Sequence, residues 1–197
     1  MSYQELLNQV EGYVITLFKR HPNEKLTYHN FDHTRKVAQH AQEIGIFYQL
    51  DEESLFIIAA AAWFHDTGYL FTGANDHEPT GVAIMKDFFS DKDVPAIVTD
   101  KIERCILATS KFTHPSFLLE QILCDADTYH FGTSEFRHTD SLVQKEVELQ
   151  TGSKPGEWNG RAINMLKHHK FYTKYCKDRL NDGKAQNILW LQSKSNQ

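Results

Sequence analysis

Two histidines and two aspartates in this chain have the residue types and the spacing of a metal site. His65 and Asp66 are adjacent and follow an apolar run, while His33 precedes them and Asp127 follows them at longer intervals. Two imidazoles and two carboxylates form a mixed nitrogen and oxygen ligand set that suits Mn²⁺, Fe²⁺, Mg²⁺ or Zn²⁺. Such a set leaves positions for water and substrate, so it favours a catalytic site over a closed structural one.

A metal-free alternative is that the same four residues form a buried polar network. Burying two carboxylates with two histidines and no matching cation is energetically expensive. The residue types therefore favour a divalent metal ion as the cofactor.

The elements that must position these ligands are helix ends. The apolar stretch that begins at Ala60 predicts a buried helix, and Gly68 predicts a left-handed cap that ends it. His65 and Asp66 would then lie on the last turn, where neighbouring side chains can turn toward one point. Asn30 is expected to cap the helix that carries His33, and Asp51 to cap the central helix.

Apolar spacings of three and four residues predict helices almost throughout, and no segment alternates as a strand would. The sequence therefore predicts an all-α fold with a metal site at the centre of a helical bundle. We expect a single domain over residues 1–197, with a motif-bearing core at about 26–131 and C-terminal helices within 134–193 packing on it. Near the C-terminus, the predicted helices cover residues 157–179 and 187–192.

Composition limits the classes of partner. The net charge is −5 with neutral histidines, so neither polymeric nucleic acid nor a membrane surface is indicated as a partner. The three cysteines lack CxxC spacing, which is typical of buried thiols, and the first residues do not resemble a signal peptide. We expect a cytoplasmic protein, and apolar helix faces near its C-terminus would permit a homodimer.

The order H…HD…D in these contexts resembles the HD-domain superfamily of metal-dependent phosphohydrolases. The segment from Tyr28 to Val37, which begins Tyr-His-Asn-Phe-Asp-His, is similar to the catalytic core of class I cyclic-nucleotide phosphodiesterases. The segment from Cys105 to His114 also resembles the stretch that precedes the last metal-binding Asp of that family. That family has a second His-Pro after its HD motif, and this chain continues as Thr67-Gly-Tyr instead. Hydrolases of guanosine tetraphosphate carry acidic residues soon after HD, whereas here the next one is Asp76.

The resemblance implies a role for each matching residue. His33, His65, Asp66 and Asp127 would be the metal ligands. Asp66 would also take part in catalysis and could bridge to a second ion. His29 would donate a proton to the leaving oxygen while a metal-activated water attacks phosphorus. An alternative for His29 is an ordinary loop or capping residue.

A second metal ion would need further ligands, for which His77 and His114 are candidates. Both also have simpler interpretations, because Asp76 would place His77 at a helix start and His114 merely precedes Pro115. Substrate phosphate could be bound by the basic residues that flank the motifs, which are Arg35, Lys36 and Lys111.

The resulting hypothesis is a phosphohydrolase that uses one or two divalent ions on a small phosphate ester, such as a nucleotide. One alternative is a di-iron oxygenase on the same scaffold, which would require the additional histidines. Another is a non-enzymatic regulatory module that binds metal or nucleotide.

Overall fold

The computed structural model describes residues 2–110 and 113–195, and this part of the chain is helical with no β-strand. The all-α prediction is confirmed. Its α-helices are α1 (Tyr3–Arg20), α2 (Phe31–Phe47), α3 (Glu52–Phe64), α4 (Tyr69–Thr72), α5 (His77–Phe89), α6 (Ala96–Ala108), α7 (Leu118–Asp127), α8 (Phe136–Thr151), α9 (Trp158–His168) and α10 (Lys174–Ser195), with a 3₁₀ turn at Tyr129–Gly132.

The chain packs as two compact units. The first contains the residues up to Asn23 and His29–Asp127, and the second contains Glu24–Tyr28 with the residues from Thr128 onward. The expectation of one domain over the whole length stays a prediction. No helix in the described residues is long and apolar enough to cross a membrane.

Helix α3 is the core of the first unit. Every residue from Phe56 to Phe64 is buried, as expected for a helix that is apolar on all sides. Helices α1, α2, α5, α6 and α7 all pack against it or against one another. Asp51 caps α3 as predicted, because its carboxylate accepts a hydrogen bond of 2.8 Å from the Ser54 amide.

Asn30 caps α2, which the sequence also predicts. Its side-chain oxygen accepts hydrogen bonds from the amides of Asp32 and His33 at 3.0 and 3.3 Å. This arrangement satisfies two backbone donors at the helix start and fixes His33 in the first turn.

The predicted left-handed conformation of Gly68 is wrong. Gly68 has φ −64° and ψ −27°, an ordinary right-handed conformation that any residue could adopt. Its lack of a side chain serves a close approach instead, because a Cβ atom there would collide with the backbone of His77 at the start of α5. Gly81 has a similar function, since its Cβ would lie 2.8 Å from the Phe64 carbonyl oxygen.

In the second unit, the predicted helix over 157–179 is wrong because the chain leaves the helical path at His169. His169 has an extended backbone, and the Thr173 hydroxyl then accepts a hydrogen bond from the Cys176 amide to begin the next helix. The short helix predicted at 187–192 is part of α10. Within this helix, Asn187 donates to the carbonyl oxygens of Phe131 and Thr133 at 3.0 and 2.8 Å.

Replacing Gly68 by alanine should destabilise the protein by about 1–3 kcal/mol, since the added methyl group meets backbone that cannot move independently. Gly12→Ala is a matched control, because Gly12 is in helix α1 and nothing lies within 4 Å of its Cβ position. That change should stabilise the protein by about 0.5–1 kcal/mol through helix propensity. Urea unfolding of both variants measures these effects, and a Gly68→Ala variant as stable as the parent would contradict the close approach.

Candidate metal centre

Four predicted ligands meet at the ends of three helices in the first unit. His33 is in the first turn of α2, and Asp127 is the last residue of α7. His65 and Asp66 lie in the tight turn that follows α3, where the His65 amide still donates to the Ala61 carbonyl at 2.9 Å. The helix ends therefore direct all four side chains toward one point.

The ligand atoms are as close together as a shared metal ion requires. His33 Nε2 lies 3.1 Å from Asp127 Oδ1 and 3.2 Å from Asp66 Oδ2. His65 Nε2 lies 3.2 Å from Asp66 Oδ2 and 3.7 Å from Asp127 Oδ1. Within the described residues, the ligand atoms of His33, His65 and Asp127 all lie within 4.8 Å of one another. Metal bonds of about 2.0–2.2 Å to nitrogen and oxygen fit such spacings.

The orientation of His65 is that of a metal ligand. Its Nδ1 lies 2.8 Å from the Ala62 carbonyl oxygen, which can only accept a hydrogen bond, so Nδ1 carries the proton in that bond. Its Nε2 therefore points a lone pair at the cluster when the ring is neutral. Neither this Nε2 nor Asp66 Oδ2 forms a hydrogen bond of good geometry within the described part of the chain, although both are buried. A bound cation would satisfy both atoms, so the residues fit the predicted metal.

The electrostatics of the cluster also favour a cation. Burial opposes charge on both imidazoles, but the neighbouring Asp66 and Asp127 carboxylates outweigh it and raise the pKa of His33, and that of His65 by more. Burial likewise opposes charge on the carboxylates, but the histidines hold the pKa of Asp66 and that of Asp127 below the usual range. In the absence of a metal, the raised pKa values of the two histidines favour protons on the imidazoles, which would balance the carboxylates.

His77, the first residue of α5, lies beside the other oxygen of Asp66. Its Nε2 is 3.8 Å from Asp66 Oδ1, and its Nδ1 is 3.1 Å from the Ala74 carbonyl oxygen. This is the same arrangement as in His65, with Nδ1 bonded to a carbonyl three residues earlier. The geometry is compatible with the predicted role of His77 at a second ion, with Asp66 between the two.

His29 lies at the edge of the same cluster. Its ring contacts the His33 ring edge-on, with centroids 5.8 Å apart, and stacks on the Tyr69 ring with centroids 4.1 Å apart and planes inclined by 7°. The ring is half-buried. A half-buried imidazole next to a metal ligand is in a suitable place for proton transfer.

The other predicted site residues are not gathered in this way. Arg35 and Lys36 pair with Asp32 on the outer face of α2, at 2.6 and 3.6 Å. His114 is exposed, and among the described residues it is outside the group that could hold a metal ion. Lys111 lies outside the described residues.

The cysteines are unsuited to nucleophilic chemistry. All three are free thiols, and Cys105 and Cys176 are buried, as the sequence suggests. Burial raises the pKa of Cys105 to about 12, so its thiol stays protonated near neutral pH.

Sequence reasoning missed the residues that orient the histidines. The carbonyls of Ala62 and Ala74 hold His65 and His77, and Tyr69 stacks on His29. Backbone acceptors leave no trace in residue type. Tyr69 gave a weak signal, because it follows Asp66 by three residues and so lies one turn further along.

Stability of the metal-free protein should fall as the pH rises above the ordinary histidine pKa of about 6.5. Because the pKa values of His33 and His65 are raised in the folded state, their contribution to the free energy of unfolding is complete below the ordinary histidine pKa. That contribution is lost as the pH rises through the folded-state pKa values. The lowered pKa values of Asp66 and Asp127 affect stability in the acidic part of the pH range. Their contribution is present above the ordinary aspartate pKa and is lost only in acid.

The measurement is the denaturation midpoint against pH in EDTA and in saturating Mn²⁺. Mn²⁺ should reverse the trend, because a cation binds deprotonated imidazoles. In EDTA, His65→Gln should flatten the decline, while His138→Gln, at an exposed position of α8, should not. Equal slopes for the parent and His65→Gln would contradict the charge balance.

Comparison with known proteins agrees with this geometry. The family model for the HD domain matches residues 30–132, a span that contains all four predicted ligands. A crystal structure of a structural genomics target from Lactobacillus plantarum is similar over 100% of this chain and 98% of that chain, with a TM-score of 0.73 and 17% identity. At that identity the likeness shows the fold alone. No curated protein matches the chain.

The matched residues make up more than half of the 197-residue chain, and they are the ones that form the His and Asp cluster. Members of this family are generally metal-dependent phosphohydrolases. The chain belongs to the HD-domain family.

Proposed function

We propose that this protein is a divalent-metal-dependent phosphohydrolase that acts on a small phosphate ester, such as a nucleotide. The observation that carries the proposal is the convergence of two buried imidazoles on the buried Asp66 and the half-buried Asp127, with four nitrogen-to-oxygen distances between 3.1 and 3.7 Å. Membership of the HD-domain family supports the same reaction class.

His33, His65, Asp66 and Asp127 would hold the cation. When bound, a divalent cation supplies Lewis acidity toward a phosphoryl oxygen and lowers the pKa of coordinated water. The four side chains contribute the preorganisation. The carbonyl of Ala62 orients His65, the cap at Asn30 orients His33, and burial keeps bulk water from competing with the ligands.

His29 would act as the general acid. In the hydrolysis, the oxygen of water forms a new bond to phosphorus while the bond from phosphorus to the leaving oxygen breaks. The leaving oxygen keeps the electron pair of that bond and takes a proton from His29. A proton released from the attacking water, or one from solvent, returns His29 to its acid form.

Phosphate recognition by Arg35 and Lys36 remains a proposal that needs rearrangement. Both side chains interact with Asp32 in the structure, and substrate phosphate would have to compete with that carboxylate. Exposed pairs of this kind are weak, about 0–1 kcal/mol, so such competition is feasible.

The di-iron oxygenase alternative draws on one feature of the structure. His77 lies near Asp66 Oδ1, where a second ion could bind, but His114 is exposed and outside the metal-capable group of the described residues. Iron content and oxygen uptake of the purified protein separate this alternative from hydrolysis.

Release of phosphate or alcohol from nucleotides and aryl phosphate esters, with Mn²⁺ or Mg²⁺ added, tests the proposed function. We expect metal-dependent turnover by the parent, loss by at least about 100-fold in His65→Ala and Asp127→Ala, and abolition by EDTA. His138→Ala is the matched control, because it removes an exposed histidine from α8. If the parent binds Mn²⁺ yet hydrolyses no phosphate ester, the protein is a binding module or carries out other chemistry.

A further inference from the structure

The side chain of Tyr69 lies between two histidines of the candidate active site. On one face it stacks on His29, with ring centroids 4.1 Å apart and planes inclined by 7°. His77 contacts it at the same centroid distance with an inclination of 35°. Both contacts are close enough to restrict how the imidazoles tilt.

Tyr69 is itself held firmly. Its backbone amide donates a hydrogen bond of 3.0 Å to the carbonyl of Asp66, and its residue is only 8% exposed. It also begins the short helix α4. The ring is therefore attached, through one tight turn, to Asp66, whose Oδ1 lies 3.8 Å from His77 Nε2.

The two histidines approach the cluster from different directions. His29 meets the ring of His33, with centroids 5.8 Å apart, whereas His77 Nε2 is 3.8 Å from Asp66 Oδ1. The two histidines lie on different elements, since His29 precedes α2 and His77 begins α5. Tyr69 lies between α3 and α5, and its ring contacts both histidines.

We propose that Tyr69 is a positioning residue that holds His29 next to His33 and His77 next to Asp66, so that His29 can protonate the leaving oxygen. This inference rests on the proposed hydrolase function. The requirement is for a flat ring, so phenylalanine should replace tyrosine and an aliphatic side chain should not. A displacement of about 1 Å in a reacting group can lower a rate by about 100-fold, which is why such support has catalytic consequences.

The structural part of the test is NMR of the His29 imidazole in protein loaded with diamagnetic Zn²⁺. A proton above an aromatic face is shifted upfield by the ring current. We expect the His29 ring protons, assigned by their absence in His29→Gln, to be shifted upfield in the parent and in Tyr69→Phe. In Tyr69→Leu and Tyr69→Met at the same pH, they should return to the range of exposed histidines.

The kinetic part compares two leaving groups. A nucleotide ester has a leaving oxygen that needs a proton, whereas a p-nitrophenyl ester does not. We expect Tyr69→Leu to lower kcat for the nucleotide about 10- to 100-fold more than for the p-nitrophenyl ester, as His29→Gln should also do. KM should change little, and Tyr69→Phe should behave as the parent.

Tyr3→Leu is the matched control for loss of packing. It removes a tyrosine that stacks on Phe56 in the same unit, with centroids 5.0 Å apart, so it should lower stability without changing the ratio of the two rates. Both Tyr69→Leu and Tyr69→Met are used, so that the test does not fail if one of them misfolds. Circular dichroism and Zn²⁺ content show whether each variant is folded and loaded with metal. Unshifted His29 protons in the parent, or a rate ratio in folded Tyr69→Leu equal to that of the parent, would overturn the proposal. A parent inactive on every ester would overturn the proposed function instead, while the imidazole spectra would still decide the role of Tyr69.

Discussion

The charges of His33, His65, Asp66 and Asp127 must balance, because these side chains are largely removed from water. Asp66 is 4% exposed and His65 only 1% exposed, and burying ionised groups is favourable only where opposite charges compensate them. Two carboxylates and two imidazoles can be balanced by protons on the rings or by a divalent cation. A divalent cation leaves both Nε2 atoms free of protons and able to act as ligands. The residues whose burial requires a compensating charge are therefore also suited to bind that cation.

The helix ends make this balance more demanding. Asp127 is the last residue of α7 and Asp66 follows the end of α3, and a helix C-terminus carries partial negative charge. Carboxylates are unfavourable there unless a positive charge lies close by. Two C-termini and two aspartates thus produce a strongly negative point next to the core helix. The chain packs closely beside this cluster, and that packing requires glycine at positions 68 and 81.

Much of the centre could be predicted from sequence, because its ligands and caps depend on local patterns. Asn30 and Asp51 precede their helices at the expected distance, and each side chain bonds to nearby amides. Features that arise from tertiary packing could not be predicted in this way. Glycine is required at position 68 because the backbone of α5 lies too close for a Cβ atom, and not because of the dihedral angles of Gly68. This contact joins residues separated by a loop.

Two other differences between expectation and structure arise from local contacts. The apolar pattern near the C-terminus continues across the break at His169, where Thr173 restarts the helix, so periodicity alone joined two helices into one. Arg35 and Lys36 have the right charge for phosphate, but the sequence did not indicate that Asp32 occupies both. Charge type is visible in a sequence, whereas the partner of each charge depends on side-chain geometry.

The most direct test of a metal centre at this cluster is a crystal structure of Mn²⁺-loaded protein with anomalous data collected at the manganese absorption edge. We predict an anomalous peak within bonding distance of His33 Nε2, His65 Nε2 and the carboxylates of Asp66 and Asp127. A second peak between Asp66 Oδ1 and His77 would indicate two ions. Anomalous density elsewhere, or none here at saturating Mn²⁺, would contradict the account and leave a proton-balanced polar network.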